Sequence, residues 1–382
     1  MKRPLLALEE HYYSSAIYSS LNEEFVRVLK AVPDLTEQLL DVGEKRLANM
    51  DAGSVAFQVV SHAFTPGKNA SAACARRPES FPPAEEKKGK KKQHSPPLPN
   101  NNLPLNPEFL TYEIGGPCTR DCQRGNDELA HAVRRVSQPT RFASFAVLPV
   151  ADAAACAAEL NRCVKQLGFV GALIDNHADG QHFDSAEYDA LWTAATELDV
   201  PIYLHPTFPS ARMAEAFAGA SSSSYSKAAA ASLGAAGWGW HSDVGLHVLK
   251  LFAAGVFDRF PTLKLILGHV GEMLPFMLER CDDMSRRWAG WGPRQRPLLQ
   301  VWRENVWITT SGAWSLAPIK CVLENTAVDR IMYSVDYPFE SNEKGRAWFE
   351  SLEASGLLTD DQLDMVAYRN AEQLLKVRVV HD

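Results

Sequence analysis

The chain has 382 residues, 46% of them hydrophobic and 22% charged, with a formal net charge of -7. That is ample apolar material for a large core, and the acidic balance excludes a general binder of nucleic acid or anionic membranes, which needs cationic surface to displace counterions. No uninterrupted apolar run approaches the roughly 18–20 residues of a membrane span, so a small-molecule partner is the expectation.

The N-terminus, MKRPLLALEEHYY, turns acidic at Glu9 and Glu10, too early for a secretory signal. It also supplies the first strand, LLALE (5–9). The others follow as SVAFQVVS (54–61), FASFAVLP (142–149), FVGALIDN (169–176), PIYLHP (201–206), KLILGH (264–269), NVWITTSG (305–312) and RIMYSVDYP (330–338). Each is almost continuously apolar, as strands buried on both faces of a parallel sheet are. Helical patterns such as NEEFVRVLKAV, DELAHAVRRV and SAEYDALWTAATEL lie between them, with apolar residues three and four apart. Strands and helices alternating in this way favour an α/β fold, a (β/α)8 TIM barrel. An open doubly wound sheet is the alternative, but EEHYYSS stands where its glycine-rich phosphate turn belongs.

Residues 1–382 read as a single barrel domain interrupted at about 65–120. That stretch, with FPPAEEKKGKKKQHSPPLPNNNLPLNP inside it, has no apolar period and is expected to be a disordered insertion after the second strand. Its run of Lys87, Lys88, Lys90, Lys91 and Lys92 reads as a solvated loop in preference to a nucleic-acid patch. A second low-complexity stretch, 211–237, suits a helical lid or a mobile loop. Cys74, Cys118, Cys122, Cys156, Cys163, Cys281 and Cys321 form an odd set without a CxxC pair, an inventory that points to a reducing compartment, the cytoplasm.

Barrel enzymes place their chemistry at the C-terminal ends of the strands. Those ends here offer Glu9 and His11, His62, Asp175 and His177, His205, His269, and Asp336. Glu9 and His11 are two apart, so a strand turns both to one face; one carboxylate and one imidazole make half of a divalent-metal site. Glu10 points away and reads as a charged cap for the following helix. His205 is followed at once by Pro206, and Asp336 lies between Val335 and Tyr337, where a buried carboxylate needs a cationic partner. His269 precedes Glu272 by three residues, with Glu272 expected in the first turn of the next helix, a spacing for an acid/base pair. Tyr12, Phe208, Trp238 and Trp240 are divided between an aromatic wall for a ring substrate and ordinary core packing.

Four motifs carry a family resemblance: ALEEHY (Ala7–Tyr12), LHPTFP (Leu204–Pro209), LGHVGEMLPFML (Leu267–Leu278) and YSVDYPFE (Tyr333–Glu340). In this order they resemble the metal-dependent nonoxidative decarboxylases of the amidohydrolase superfamily. The pattern is nearest to the 2,3-dihydroxybenzoate and γ-resorcylate decarboxylases, relatives of aminocarboxymuconate-semialdehyde decarboxylase. The resemblance implies that Glu9, His11, His205 and Asp336 bind the metal, that His269 and Glu272 form the acid/base pair, and that Asp336 protonates the substrate. The hydrolytic branch carries H-x-H on its first strand, so E-x-H favours decarboxylation; a metal-dependent hydrolase of a lactone or amide is the second reading. A catalytically dead barrel serving as a binding partner is the third. The expected cofactor is a divalent ion, zinc first and manganese or magnesium next, without an organic cofactor. The implied substrate is a small aromatic carboxylic acid of the hydroxybenzoate type, and the implied assembly a homodimer or homotetramer.

Overall fold

The computed structural model describes residues 3–62, 118–219, 225–287, 290 and 292–380. The expected insertion and its lysine run fall outside the described residues, apart from 118–120. There the sequence reading ran too far, because Thr119 and Arg120 already open the helix Thr119–Arg135.

All eight expected strands are present: β1 (Leu5–Tyr12), β2 (Val55–His62), β3 (Phe142–Ser144), β4 (Ala172–Asp175), β5 (Ile202–His205), β6 (Leu265–Leu267), β7 (Val306–Thr309) and β8 (Ile331–Met332). Most are shorter than the apolar runs that announced them. Every pairing between neighbouring strands is parallel, within a β1-β2-β3 sheet and a β4-β5-β6-β7-β8 sheet. Parallel bridges tie the two sheets at both seams, Ala146 with Ala172 and Glu10 with Tyr337. At the second seam the His11 N–H donates to the Tyr337 carbonyl at 2.6 Å.

One apolar cluster gathers Leu6 and Leu8 from β1, Phe57 and Val59 from β2, Phe145, Leu173, Tyr203, Ile266 and Met332, with Trp307 packed against it. It thus draws on every strand or its continuation. A second, larger cluster holds the alternate residues, among them Leu5, Ala7, Val60, Ile174, Leu204 and Ile308, and packs them beneath the helices. Strand alternation explains this division.

The register between β1 and β2 shifts twice, first between Leu5 and Leu6 and again between Ala7 and Glu10. Ala7 pairs with Gln58 and Glu10 with Val60, so Leu8 and Glu9 together face a single partner, a β-bulge. Leu8 therefore stays in the inner cluster while Glu9 and His11 turn to the same side above it. The two amides of the bulge, Leu8 N–H and Glu9 N–H, both donate to Ser334 Oγ, at 3.1 and 2.7 Å.

Candidate metal centre

Glu9, His11, His205 and Asp336 come from β1, the end of β5 and the segment after β8, and their ligand atoms all lie within 4.8 Å of one another. His11 Nε2 is 3.0 Å from Asp336 Oδ1, and His205 Nε2 is 3.3 Å from Glu9 Oε1. Yet Glu9 Oε1, Asp336 Oδ1 and both ring nitrogens of His11 make no hydrogen bond within the described residues. Buried polar atoms left without hydrogen-bond partners cost desolvation energy that a bound cation recovers.

Electrostatics point the same way. Burial would raise the Glu9 carboxyl, but the imidazoles of His269, His205 and His11 outweigh it and hold the group below the ordinary range. Burial and the Glu9 charge push Asp336 well above its usual value. Two carboxylates side by side cannot both ionise without a counter-ion. Burial lowers His11 to about 4, keeping its ring in the neutral, ligating form. Two carboxylates and two imidazoles, their ligand atoms gathered at one place, fit a divalent ion with bonds of about 2.0–2.2 Å.

The other oxygen of Glu9 is held. Glu9 Oε2 accepts from the hydroxyls of Tyr203, Ser311 and Thr309. Gly268 permits that approach: a Cβ there would meet Glu9 Oε2 at 3.1 Å, Tyr203 Oη at 3.1 Å and Glu272 Oε1 at 3.2 Å. Asp336 sits in the left-handed region at φ 76, a strained backbone for a non-glycine residue. Glu10 secures the chain on either side of it, accepting from Val335 N–H at 3.1 Å and Tyr337 N–H at 3.3 Å. Glu10 is thus no helix cap, contrary to the sequence reading; Ser14 caps the helix Ser15–Ser20, accepting from Ile17 N–H. Being fully buried beside two unpaired amides, the Glu10 carboxyl serves them instead, and burial raises it to about 8. The fully buried Arg46 completes the frame, donating to the His11 carbonyl at 2.5 Å with its guanidinium 4.9 Å from the Tyr337 ring.

His269 and Glu272 stand beside the quartet. His269 Nε2 lies 3.7 Å from Glu9 Oε1, and its Nδ1 donates to Glu272 Oε1 at 2.7 Å. Glu272 is not in the first turn of a right-handed helix as expected. Positive φ angles run through His269 (47), Val270 (59), Gly271 (85), Glu272 (52) and Met273 (65), a left-handed turn ahead of the helix Leu274–Arg287. Left-handed backbone costs each non-glycine residue about 1–2 kcal/mol, and strain of this kind persists where neighbouring structure over-determines it. Burial opposes a charge on His269, but Glu272 and Glu9 raise it to about 10; the histidines in turn lower Glu272 to about 2.

The remaining strand-end residues divide. Asp175 pairs in register with His205 on the neighbouring strand. His62 lies outside the quartet, its Nε2 3.0 Å from Ser14 Oγ and its ring 5.6 Å from Tyr12. His177 is buried, and its Nδ1 accepts from Gly180 N–H at 3.0 Å, holding a turn. Of the proposed aromatic wall, Tyr12 packs in the outer core, Phe208 and Trp240 pack edge to face in a separate cluster, and Trp238 is half exposed. The Phe339 ring, not part of that set, lies 5.6 Å from the His11 ring. Tyr203, Ser334, Thr309 and Ser311 were missed, although each lies two residues from a strand-end or neighbouring site position, which is the spacing that shares a strand face.

The family model described as Amidohydrolase matches residues 116–377. The chain belongs to the amidohydrolase family. Among curated relatives, Decarboxylase orsB of Emericella nidulans is 60% identical over 379 residues, 99% of each chain. Gamma-resorcylate decarboxylase of Polaromonas sp. (strain JS666) is 35% identical over 264 residues, 67% of this chain and 76% of the relative. Among solved structures, a dihydroxybenzoic acid decarboxylase from Polaromonas sp. JS666, with bound manganese and the inhibitor 2-nitroresorcinol, superposes with a TM-score of 0.73. That structure shares 26% identity, covering 98% of this chain and 97% of its own. The decarboxylase resemblance carried by the four motifs is borne out by these relatives.

Proposed function

We propose that Glu9, His11, His205 and Asp336 hold one divalent ion and that His269 and Glu272 act beside it on a hydroxybenzoate-type substrate. The enzyme is a carboxy-lyase that decarboxylates an aromatic acid without oxidation, releasing CO2 and a phenol. The observation that carries the site reading is the convergence of buried, unbonded carboxylate and imidazole lone pairs next to an ordered histidine–glutamate pair.

When bound, the ion supplies positive charge that draws the substrate's carboxylate and adjacent phenolic oxygen. His269, oriented by Glu272 and kept protonated by the neighbouring carboxylates, presents Nε2–H to the pocket as a hydrogen-bond donor to the phenolic oxygen. Asp336 delivers a proton to the ring carbon that bears the carboxylate, and a C–H bond forms there. The C–C bond then breaks, its electron pair restores the aromatic ring, and CO2 leaves. Asp336, which is partly exposed, regains its proton from solvent. One proton is consumed and no electron is exchanged, so the chemistry needs no organic cofactor.

Zinc is the first choice for this ligand set, with manganese, the ion of the Polaromonas relative, its nearest competitor. The bridged sheets and the inner cluster fed from every strand favour one closed (β/α)8 barrel, a single catalytic domain interrupted at about 65–120. Phe276 is 82% exposed, and Met273, Met277 and Leu246 are exposed nearby, an apolar surface suited to a homodimer or homotetramer. No helix among the described residues is long and apolar enough to cross a membrane, and the cytoplasm is the compartment we assign.

The test is incubation of the zinc- or manganese-loaded protein with a panel of hydroxybenzoates, following CO2. Release from an ortho-hydroxylated member supports the reading. Turnover of lactones or amides with no CO2 from any benzoate replaces it with the hydrolase.

A further inference from the structure

Glu272 is almost fully buried, and both of its oxygens are taken. Oε1 accepts from His269 Nδ1 and Oε2 from His241 Nδ1, each at 2.7 Å. The two imidazoles flank the carboxylate edge to face, their centroids 4.7 Å apart at 62°. His241 lies on the helix Gly239–Ala253, was not singled out by the sequence reading, and has no part in the mechanism above.

We infer that His241 is a positioning residue for the reaction: it anchors the second oxygen of Glu272, so that Glu272 holds His269 with Nε2 facing the metal pocket. The inference rests on the decarboxylase reading of that pocket.

Three observations carry it. The other nitrogen of His241, Nε2, is 3.1 Å from the carbonyl oxygen of Ala236. Both ring nitrogens therefore face acceptors, and both bonds are made together only by a ring that carries a proton on each nitrogen. His241 is the third residue of its helix, so the contact to Glu272 comes from an element separate from the turn that carries Glu272. Finally, Glu272 belongs to the left-handed turn His269–Met273, whose backbone offers no regular helical bonding to fix the side chain, so the anchor must come from another element.

His241, His269 and Glu272 also lie close enough together to hold an ion of their own. The direct 2.7 Å contacts from each Nδ1 to a separate carboxylate oxygen are those of charge-assisted hydrogen bonds, and they occupy the lone pairs a metal would need.

The experiment compares full-length wild type, His241→Phe and His241→Asn, all manganese-loaded, with 2,6-dihydroxybenzoate as substrate and nitrogen-15 NMR of the histidine rings. Loss of an orienting partner typically costs about 10–100-fold, so kcat of His241→Phe should fall by that factor with KM within about twofold and metal content unchanged. Asn places an N–H near the position of Nδ1 and should recover about half of the loss on a logarithmic scale. In the spectra, wild-type His241 should carry protons on both nitrogens, and the His269 Nδ1 proton should shift in His241→Phe. An unchanged kcat in both variants, a His241 ring with one bare nitrogen, or two ions per chain would overturn the inference. If wild type releases no CO2 from this or any other hydroxybenzoate of the panel, the decarboxylase reading fails by itself. The coupling of His241 to His269 is then decided by the ring spectra alone: a shifted His269 signal keeps the anchor, and an unmoved one removes it.

Discussion

Two polar clusters are buried in the same frame, one around Glu9 and one around His247, and they dispose of their hydrogen bonds in opposite ways. In the second, His247 Nδ1 donates to Asn176 Oδ1 at 2.9 Å and Nε2 accepts from Phe183 N–H at 3.0 Å. Asn176 Nδ2 donates in turn to Asp243 Oδ2 at 2.6 Å. Around Glu9, by contrast, Glu9 Oε2 is tied down by hydroxyls while Glu9 Oε1, the facing Asp336 Oδ1 and both ring nitrogens of His11 are left bare. The difference separates polar groups buried to specify the fold from those buried to receive something. The first kind repays its desolvation when the chain folds, the second only when a ligand arrives.

The sharpest way to break this comparison is to remove one ligand from the bare cluster. Asp336→Ala and His205→Ala should each lose the ion by elemental analysis and lower decarboxylation by at least about a thousandfold, the rate equivalent of roughly 4 kcal/mol. Metal-free Asp336→Ala should unfold at the same urea concentration as metal-free wild type or a higher one, because it removes a buried carboxyl crowded by Glu9. A full metal complement in both variants would show that the quartet is not the binding site.

The opposite behaviour belongs to the satisfied cluster. His247→Leu strands the Phe183 amide and the Asn176 carbonyl oxygen in the interior, and should cost about 2–4 kcal/mol in urea unfolding while the ion stays in place. Metal loss without loss of stability would erase the distinction between the clusters.

A smaller effect follows from pH. Burial keeps His247 well below its ordinary value of 6.5 in the folded protein, while in the unfolded chain it titrates normally. Below pH 6.5 the unfolded state binds a proton that the folded state refuses, so stability falls as pH falls. One such group contributes up to about 1.4 kcal/mol per pH unit. Urea midpoints of metal-free protein between neutral pH and mild acid should decline less steeply in His247→Gln than in wild type, by up to one proton's worth of slope. Equal slopes would mean that His247 is protonated in the fold.

What was legible in the sequence follows from period. The eight apolar runs and the pairing of Glu9 with His11 on one face are consequences of strand alternation, and all appear. What escaped depends on departures from period. No pattern announces that Leu8 and Glu9 share one partner, so the inner position of Leu8 and the double use of Ser334 Oγ were invisible. The left-handed turn at His269–Met273 looks, in sequence, like the start of an ordinary helix, since only Gly271 hints at positive φ. Arg46 and His241 reach the site from helices distant in sequence, and a contact between elements has no spacing signature. Glu10 was misread because the amides it serves lie more than three hundred positions away.

The finest test concerns the tied-down face of Glu9. Tyr203, Ser311 and Thr309 all donate toward Oε2, so deleting one hydroxyl leaves two in place. Tyr203→Phe should therefore weaken metal binding by only about tenfold, the low end of what an orienting partner contributes, with a stability change of about 1 kcal/mol. Ser311→Ala should behave alike. Because the two donors share one acceptor, the double variant should lose more affinity than the sum of the single losses, as expected of groups in one hydrogen-bonded network. Competition of each variant with a metal chelator measures this directly. Strict additivity would mean that the hydroxyls orient Glu9 independently, and that its bare oxygen is aimed by the β1 bulge instead.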